Sequence, residues 1–300
     1  MYKLIASVTF LFFALALQAQ INMIVKPDGF LFMDGKDSIC FYQKTVKSKD
    51  DAFSRCNYIH PLYSLSGSRM TEDFPADHLH QRGVFWAWHQ ILIDGKQVSD
   101  GWELKNFKQQ IADIEFRKMN ETGIFNATVE WLSPEWKSGE KAYLKEETQV
   151  MFYPKTGNYR RIDFNIKLKA LTDRLAIGGS DDEKGYGGFS VRMVQPDDLT
   201  FNSGNDLVEP QNTAVSAHNF MNISGSFDKK GQSGIVIWSS LQDPAPNTEW
   251  ILRKKGSMQN AVYPGRKPVP IPFDEPLILK YSLIVYDGEL TKRQIQKVMR

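Results

Sequence analysis

The segment Tyr159–Ala170 alternates without a break. Ile162, Phe164, Ile166 and Leu168 fall on one parity, and Arg161, Asp163, Asn165, Lys167 and Lys169 fall on the other. Successive side chains of a strand point to opposite faces, so this pattern predicts a strand with one buried and one wet face. Ala142–Tyr153 repeats it, with Leu144, Thr148, Val150 and Phe152 on one parity, and Thr156-Gly157-Asn158 joins the two segments. Other pairs follow the same logic. Gly29–Met33 and Ser38–Gln43 flank Asp34-Gly35, and Ile91–Ile93 and Lys96–Val98 flank Asp94-Gly95. Lys108–Met119 and Ile124–Leu132 flank Asn120-Glu121-Thr122-Gly123. Asp-Gly and Asn-containing turns between apolar runs are hairpin signals. Gly234–Trp238, Trp250–Arg253, Asn260–Tyr263 and Leu277–Tyr286 add further strands, while the polar Lys44–Phe53 reads as a loop. Pro264–Pro276 carries five prolines and reads as a rigid extended excursion. Only Glu289–Met299 has helical spacing, with Ile295, Val298 and Met299 at i, i+3 and i+4 and basic residues at its end. It reads as a cap on a sheet. Long antiparallel strands in a meander argue for stacked sheets rather than a parallel α/β core. The fold class is therefore all-β: one large antiparallel β-sandwich over residues 20–300 with a short C-terminal helix.

The N-terminus follows a different rule. Met1-Tyr2-Lys3 precedes the apolar run Leu4–Leu17, and Leu17-Gln18-Ala19 ends in a small residue. The run is shorter than the ~20 residues of a membrane span. It reads as a secretory signal peptide over residues 1–19, cleaved after Ala19. The mature chain is expected in the periplasm or outside the cell, with no membrane span. Net charge is +2 across 300 residues, with no basic run, so nothing calls for a nucleic-acid partner. Cys40 and Cys56 could pair in an oxidising compartment or lie unpaired on buried strands, and spacing alone leaves both open.

Candidate chemistry concentrates between Asn57 and His89, which holds four of the five histidines: His60, His78, His80 and His89. If Asp77-His78-Leu79-His80 is extended, His78 and His80 stand on one face and Leu79 turns to the core. Imidazoles titrate near neutral pH and suit proton transfer, and Asp77 is placed to orient one of them. Arg82 offers a donor fork for hydroxyls or a carboxylate. In Val84-Phe85-Trp86-Ala87-Trp88, Phe85 faces away from Trp86 and Trp88, which are expected to form an apolar platform for a sugar ring. His60, Tyr63 and His89 complete this group. Downstream, the glycine-rich Ser180–Gly188 puts Tyr186 and Arg192 at the rim, with Glu183 as a further carboxylate. It is not a phosphate loop. His78 and His80 are two of the three protein ligands that a catalytic zinc or iron site needs, and no carboxylate follows closely. No cofactor is expected, and a transition metal is the lesser alternative.

HPLYSLSG at His60–Gly67, followed by DFPADHLHQRGVFWAW at Asp73–Trp88, resembles the PmoA-like family of secreted bacterial proteins. The family pattern is close to HPLYSPSG…DFPPDHxHHxGxFxAW. GYGGFSVRM at Gly185–Met193 and LILKYSLIVYDGEL at Leu277–Leu290 resemble its glycine-rich and closing strands. The family often has a second histidine where this chain has Gln81, so that position is not an essential base. The resemblance implies a supersandwich like that of galactose mutarotase, a fold that binds sugars on a concave sheet face. Fold alone does not license function. The expected function is a secreted carbohydrate-active enzyme of epimerase, hydrolase or lyase type. In it His78, His80, Asp77 and Arg82 carry the chemistry on a sugar or sugar-derived small molecule. The alternatives are a non-catalytic glycan-binding protein and a metal-dependent oxygenase or hydrolase built on His78 and His80.

Overall fold

The alternating segments assemble into two nine-stranded antiparallel sheets. This computed structural model describes residues 20–228, 231–240 and 248–299, and the leader expected over residues 1–19 lies outside them. The first sheet runs in the order Ile21–Lys26, Gly29–Asp34, Asp37–Gln43, Tyr58–Leu62, Val84–Trp88, Gly187–Val191, Gln259–Val262, Glu249–Ile251, Val215–Ser216. The second runs Lys108–Met119, Thr122–Leu132, Leu144–Phe152, Tyr159–Ala170, Leu277–Asp287, Gly231–Ser239, Phe220–Asp228, Thr200–Ser203, Asp206–Leu207. Gln90–Ile93, Lys96–Ser99, Leu175–Gly178 and Val269–Pro270 form a smaller sheet.

One core joins the two large sheets. Phe164 lies opposite Val150 and Tyr281 in register, so one parity of three neighbouring strands faces the same interior. Phe189 of the first sheet stacks on Tyr281 of the second at 4.6 Å between ring centroids, and Trp88 approaches Trp131 at 5.9 Å. Each such aromatic removes roughly 150–250 Å² from water, which is what drives the sheets together. The sandwich is thus the structural outcome of period two along the second sheet, packed against first-sheet strands that are apolar on both faces.

The same parity rule carries a charged group inside. Glu146 lies between Leu144 and Thr148 on the buried face and is fully buried. Its carboxylate accepts hydrogen bonds from Asn57 Nδ2, Trp86 Nε1, Trp131 Nε1 and Thr148 Oγ1 at 2.7–3.0 Å. Four donors make this interior position tolerable for a polar group. Burial still pushes its pKa up, against those donors.

One smaller expectation changes, and two others are made more definite. Lys44–Phe53 is not a plain loop, since Lys47–Lys49 pairs with Ala52–Arg55 across a turn in which Asp50 and Asp51 both have positive φ. Aspartate tolerates that conformation, and such turns match the twist of paired strands. Within the proline-rich excursion, Val269–Pro270 edges the small sheet against Leu175–Gly178, where a proline without an N–H does least harm. Cys40 and Cys56 are both buried and free, without a disulfide. The helix is confirmed at Lys292–Val298, opened by a Thr291–Gln294 capping box. Ile295, with Val298 and Met299, packs on Phe220, Val236, Ile284 and Tyr286 of the second sheet, so it is the cap the spacing predicts. No helix among the described residues is long and apolar enough to cross a membrane.

Candidate functional site

The outer face of the first sheet carries a second, small apolar cluster of Tyr58, Phe85, Ala87, Met258 and Trp102, with Tyr186 packed on it. Two connecting segments cover this face and bring the polar groups.

The first segment is the turn after Lys96–Ser99. Asp100 Oδ1 accepts from the backbone N–H of Trp102 and Glu103 at 2.9 and 2.8 Å, a local geometry that aspartate favours. The N–H groups of Gly101 and Trp102 donate to Trp88 O, which fastens the turn to the sheet. Asp100 Oδ2 lies 2.9 Å from His89 Nδ1. The His89 ring stacks on Trp102 at 5.4 Å, and Trp102 meets Phe85 and Tyr186 at 5.5 Å each. Beneath them Arg55 donates to Gly101 O and lies over the Phe85 ring.

The second segment is Pro75–Gln81. It is not extended, because His78 N donates to Pro75 O and Gln81 N to His78 O, making two successive turns. Leu79 is accordingly half-buried rather than a core residue. The histidines still meet, edge to face, with 5.7 Å between the His78 and His80 rings. Asp77 accepts from Arg192 Nη2 and Nη1 at 2.7 and 2.9 Å, from Ser257 N at 2.8 Å, and faces His78 Nδ1 at 2.9 Å. Burial works to raise the Asp77 pKa. Hydrogen bonds from Arg192, His78 and Ser257 prevail and hold it far below the usual carboxylate range. Asp77 is therefore a fixed anion.

His80 is the inner member of the group. It is 7% exposed, and its Nε2 is buried with no hydrogen-bond partner among the described residues. Its Nδ1 lies 3.7 Å from Glu103 Oε2. Burial, helped by His78, Arg55 and His89, lowers its pKa to about 3, so the ring is neutral at physiological pH. His78 is the outer member, with its side chain 40% exposed.

Several expected site residues do other work. Trp86 and Trp88 are not a platform: they point into the core, and their Nε1 atoms donate to Glu146 and Tyr263 O. Val84–Trp88 is a central strand buried on both faces, and it is Phe85 that faces the site. Arg82 is wholly buried and consumed by Asp73, Tyr58 OH and the carbonyls of Lys47 and Phe53. Arg192 is likewise committed, to Glu72, Asp77, Gln81 Oε1 and Ser257 O, and at 4% exposure it braces the site from behind. His60 faces Thr71 Oγ1 and has Asp73, Arg69, Lys47 and Arg82 as its charged neighbours. Tyr63 bridges Arg69 through the backbone and joins no histidine among the described contacts. Glu183 sits on an exposed turn. Tyr186 packs on the apolar cluster beside Trp102, its OH accepting from Arg253 Nη2.

Asp100, Trp102 and Glu103 escape sequence reasoning. The readable signal is an aspartate two and three residues before N–H groups in a turn, with a tryptophan where turns are usually polar. The result is two Asp–His pairs, Asp77–His78 and Asp100–His89, around neutral His80. Among the described residues no three His, Cys, Asp or Glu side chains are grouped to hold a metal ion.

The buried histidines give stability a direction with pH. Burial, aided by Arg69, Lys47 and Arg82 and opposed by Asp73, lowers the His60 pKa to about 4, from an ordinary 6.5. Below about pH 6.5 the unfolded chain takes up protons that folded His60 and His80 refuse. Their contribution is therefore complete above that pH and shrinks as pH falls toward 4. The urea midpoint is expected to drop between pH 7 and 5, and to drop less in His60→Gln. Equal slopes for the two proteins would refute the assignment.

No curated protein matches the chain. Residues 31–300, which include the whole second sheet, most of the first and every member of the histidine group, match the family of unknown function DUF6807, and the chain belongs to that family.

Proposed function

We propose that this chain is a carbohydrate-active protein outside the cytoplasm, an enzyme that moves protons with histidine on a sugar or sugar derivative. The observation that carries this reading is the Asp77–His78 pair. A carboxylate at Nδ1 fixes the tautomer with its proton on that nitrogen, so the neutral ring presents Nε2 as a lone pair. The second pair, Asp100–His89, is built alike a short way off around His80. Two oriented imidazoles can take a proton from one face of a substrate and return one at another, which fits epimerase, lyase and hydrolase chemistry. A hydrolase with paired carboxylates fits less well, because Asp77 is a locked anion and cannot serve as the acid. Tyr186 offers the aromatic surface, while Trp102 backs His89 from inside the fold. The resemblance to PmoA-like proteins, and the sugar-binding supersandwich that it implies, favour the same substrate class, and the leader-like N-terminus favours the location.

The test is a thermal-shift and turnover screen of the protein from Gln20 onward. The panel holds mono- and oligosaccharides, uronic acids and keto-sugars, and elemental analysis runs beside it. One sugar class should raise the melting temperature, and Tyr186→Ala should reduce the shift. No shift from any sugar would overturn the reading. A stoichiometric transition metal that disappears in His78→Ala would replace acid–base chemistry with metal chemistry, since a carboxylate behind an imidazole also orients metal ligands.

A further inference from the structure

The open ring nitrogens and carboxylate beside His80 are acceptors. His78 and His89 each have Nδ1 committed to an aspartate, which leaves Nε2 as the uncommitted ring nitrogen. Glu103 has a side chain 32% exposed, and it faces the neutral His80 ring, with Nδ1 at 3.7 Å, too long for a hydrogen bond. The arginines are committed behind these groups. Arg192 serves Glu72, Asp77, Gln81 and the Ser257 carbonyl. Arg253 serves three backbone carbonyls, of Gln211, Leu252 and Asn212, besides Tyr186 OH. Arg55 is 2% exposed and turned to Gly101 O. Lys184 approaches the Tyr186 ring at 5.8 Å, and Lys105, two residues from Glu103, is exposed to solvent. The carboxylates of Glu72, Asp77 and Glu103 are each about one-third exposed, whereas the Arg192 side chain is 5% exposed. Solvent on this face meets oxygen acceptors first and guanidinium groups second.

We propose that the site takes a neutral, hydroxyl-rich ligand, a sugar without carboxylate or phosphate, whose hydroxyls donate to His78 Nε2, His89 Nε2 and Glu103. This rests on the carbohydrate reading above and narrows it. A hydroxyl brings the donor that each open group lacks. A uronate or sugar phosphate brings further acceptors and a negative charge beside Glu103, and it finds no free arginine fork to receive it. Glu103 is then a specificity-determining residue. His80 works from behind it: its neutral ring, buried between His78 and Glu103, adds no positive charge that would draw an anion in.

Calorimetric titration at pH 8 with matched pairs decides the matter: methyl glucoside against glucuronate, methyl galactoside against galacturonate, and glucose against glucose 6-phosphate. Wild type should bind the neutral member of a pair at least about tenfold more tightly than its anion. Glu103→Gln replaces one acceptor oxygen with a donor at nearly the same volume. It should weaken the neutral sugar and bring the anion to within a few-fold of it. Lys184→Ala should leave the wild-type preference in place. An anion that binds wild type as tightly as its neutral partner overturns the inference and leaves the carbohydrate reading standing. A preference unchanged in Glu103→Gln overturns the role of Glu103. If no member of any pair binds wild type, the inference fails for these sugars, and the carbohydrate reading fails with it when the thermal-shift panel of oligosaccharides and keto-sugars is silent too.

Discussion

Replacing Arg192 with methionine is expected to destabilise the fold by about 2–3 kcal/mol and to release Asp77 from its fixed position. Arg192 is 4% exposed and sits one residue past the strand Gly187–Val191. Its guanidinium holds Glu72 at 2.8 Å and Asp77 at 2.7 and 2.9 Å, and it reaches Gln81 Oε1 and Ser257 O as well. Methionine keeps much of the volume and removes every donor. Two carboxylates then face each other without a cation. Breaking a wholly buried pair costs about 3–5 kcal/mol. The loss here is smaller because Asp77 and Glu72 are 36% and 35% exposed, so water takes over part of the solvation. Arg192→Lys should recover only a minor part, since an ammonium is a point donor and cannot span both Asp77 oxygens. Urea denaturation checks both variants. A midpoint for Arg192→Met within error of wild type would show that the fork is idle.

Much of this architecture was legible in the chain, and the misses share a cause. Alternation named the long strands of the second sheet because one of their faces is wet. Val84–Trp88 was harder. Its parity was readable, with Phe85 opposite Trp86 and Trp88, yet both faces are apolar and so carry no inward or outward sign. The turn Asp100–Glu103 folds back over one of them, which reverses the expected platform. Arg82 and Arg192 looked like open forks because their partners are remote. Asp77 lies 115 residues before Arg192, and no local pattern announces the pairing. His78 and His80 came together despite a wrong local conformation, since two tight turns can juxtapose near neighbours as a strand would. Glu146 broke an otherwise apolar parity, and its acceptance by two indoles and two polar side chains depends on tertiary packing alone. The cluster of chemistry was therefore visible from residue types, while the division between reacting groups and braces needed the fold.

On whichever sugar the screen selects, His78→Gln is expected to lower kcat by about 10²–10⁴-fold while KM changes little. The side chain is 40% exposed and is tied to the fold through Nδ1, so the variant should fold normally. Glutamine keeps hydrogen-bonding capacity at the same place and loses the titratable nitrogen. A protein that only binds glycans would keep most of its affinity and show no turnover to lose, so the split between kcat and KM separates the two classes. Asp77→Asn gives an independent check on the tautomer. The asparagine amide can donate to Nδ1, which drives the ring proton to Nε2 and removes the lone pair from the substrate side. Its kcat should therefore fall toward that of His78→Gln, although the imidazole is still present. The double variant should then lose little more than either single one, because both remove the same base. Strict additivity of the two losses would mean that Asp77 and His78 act apart, and the pair would cease to be the catalytic unit.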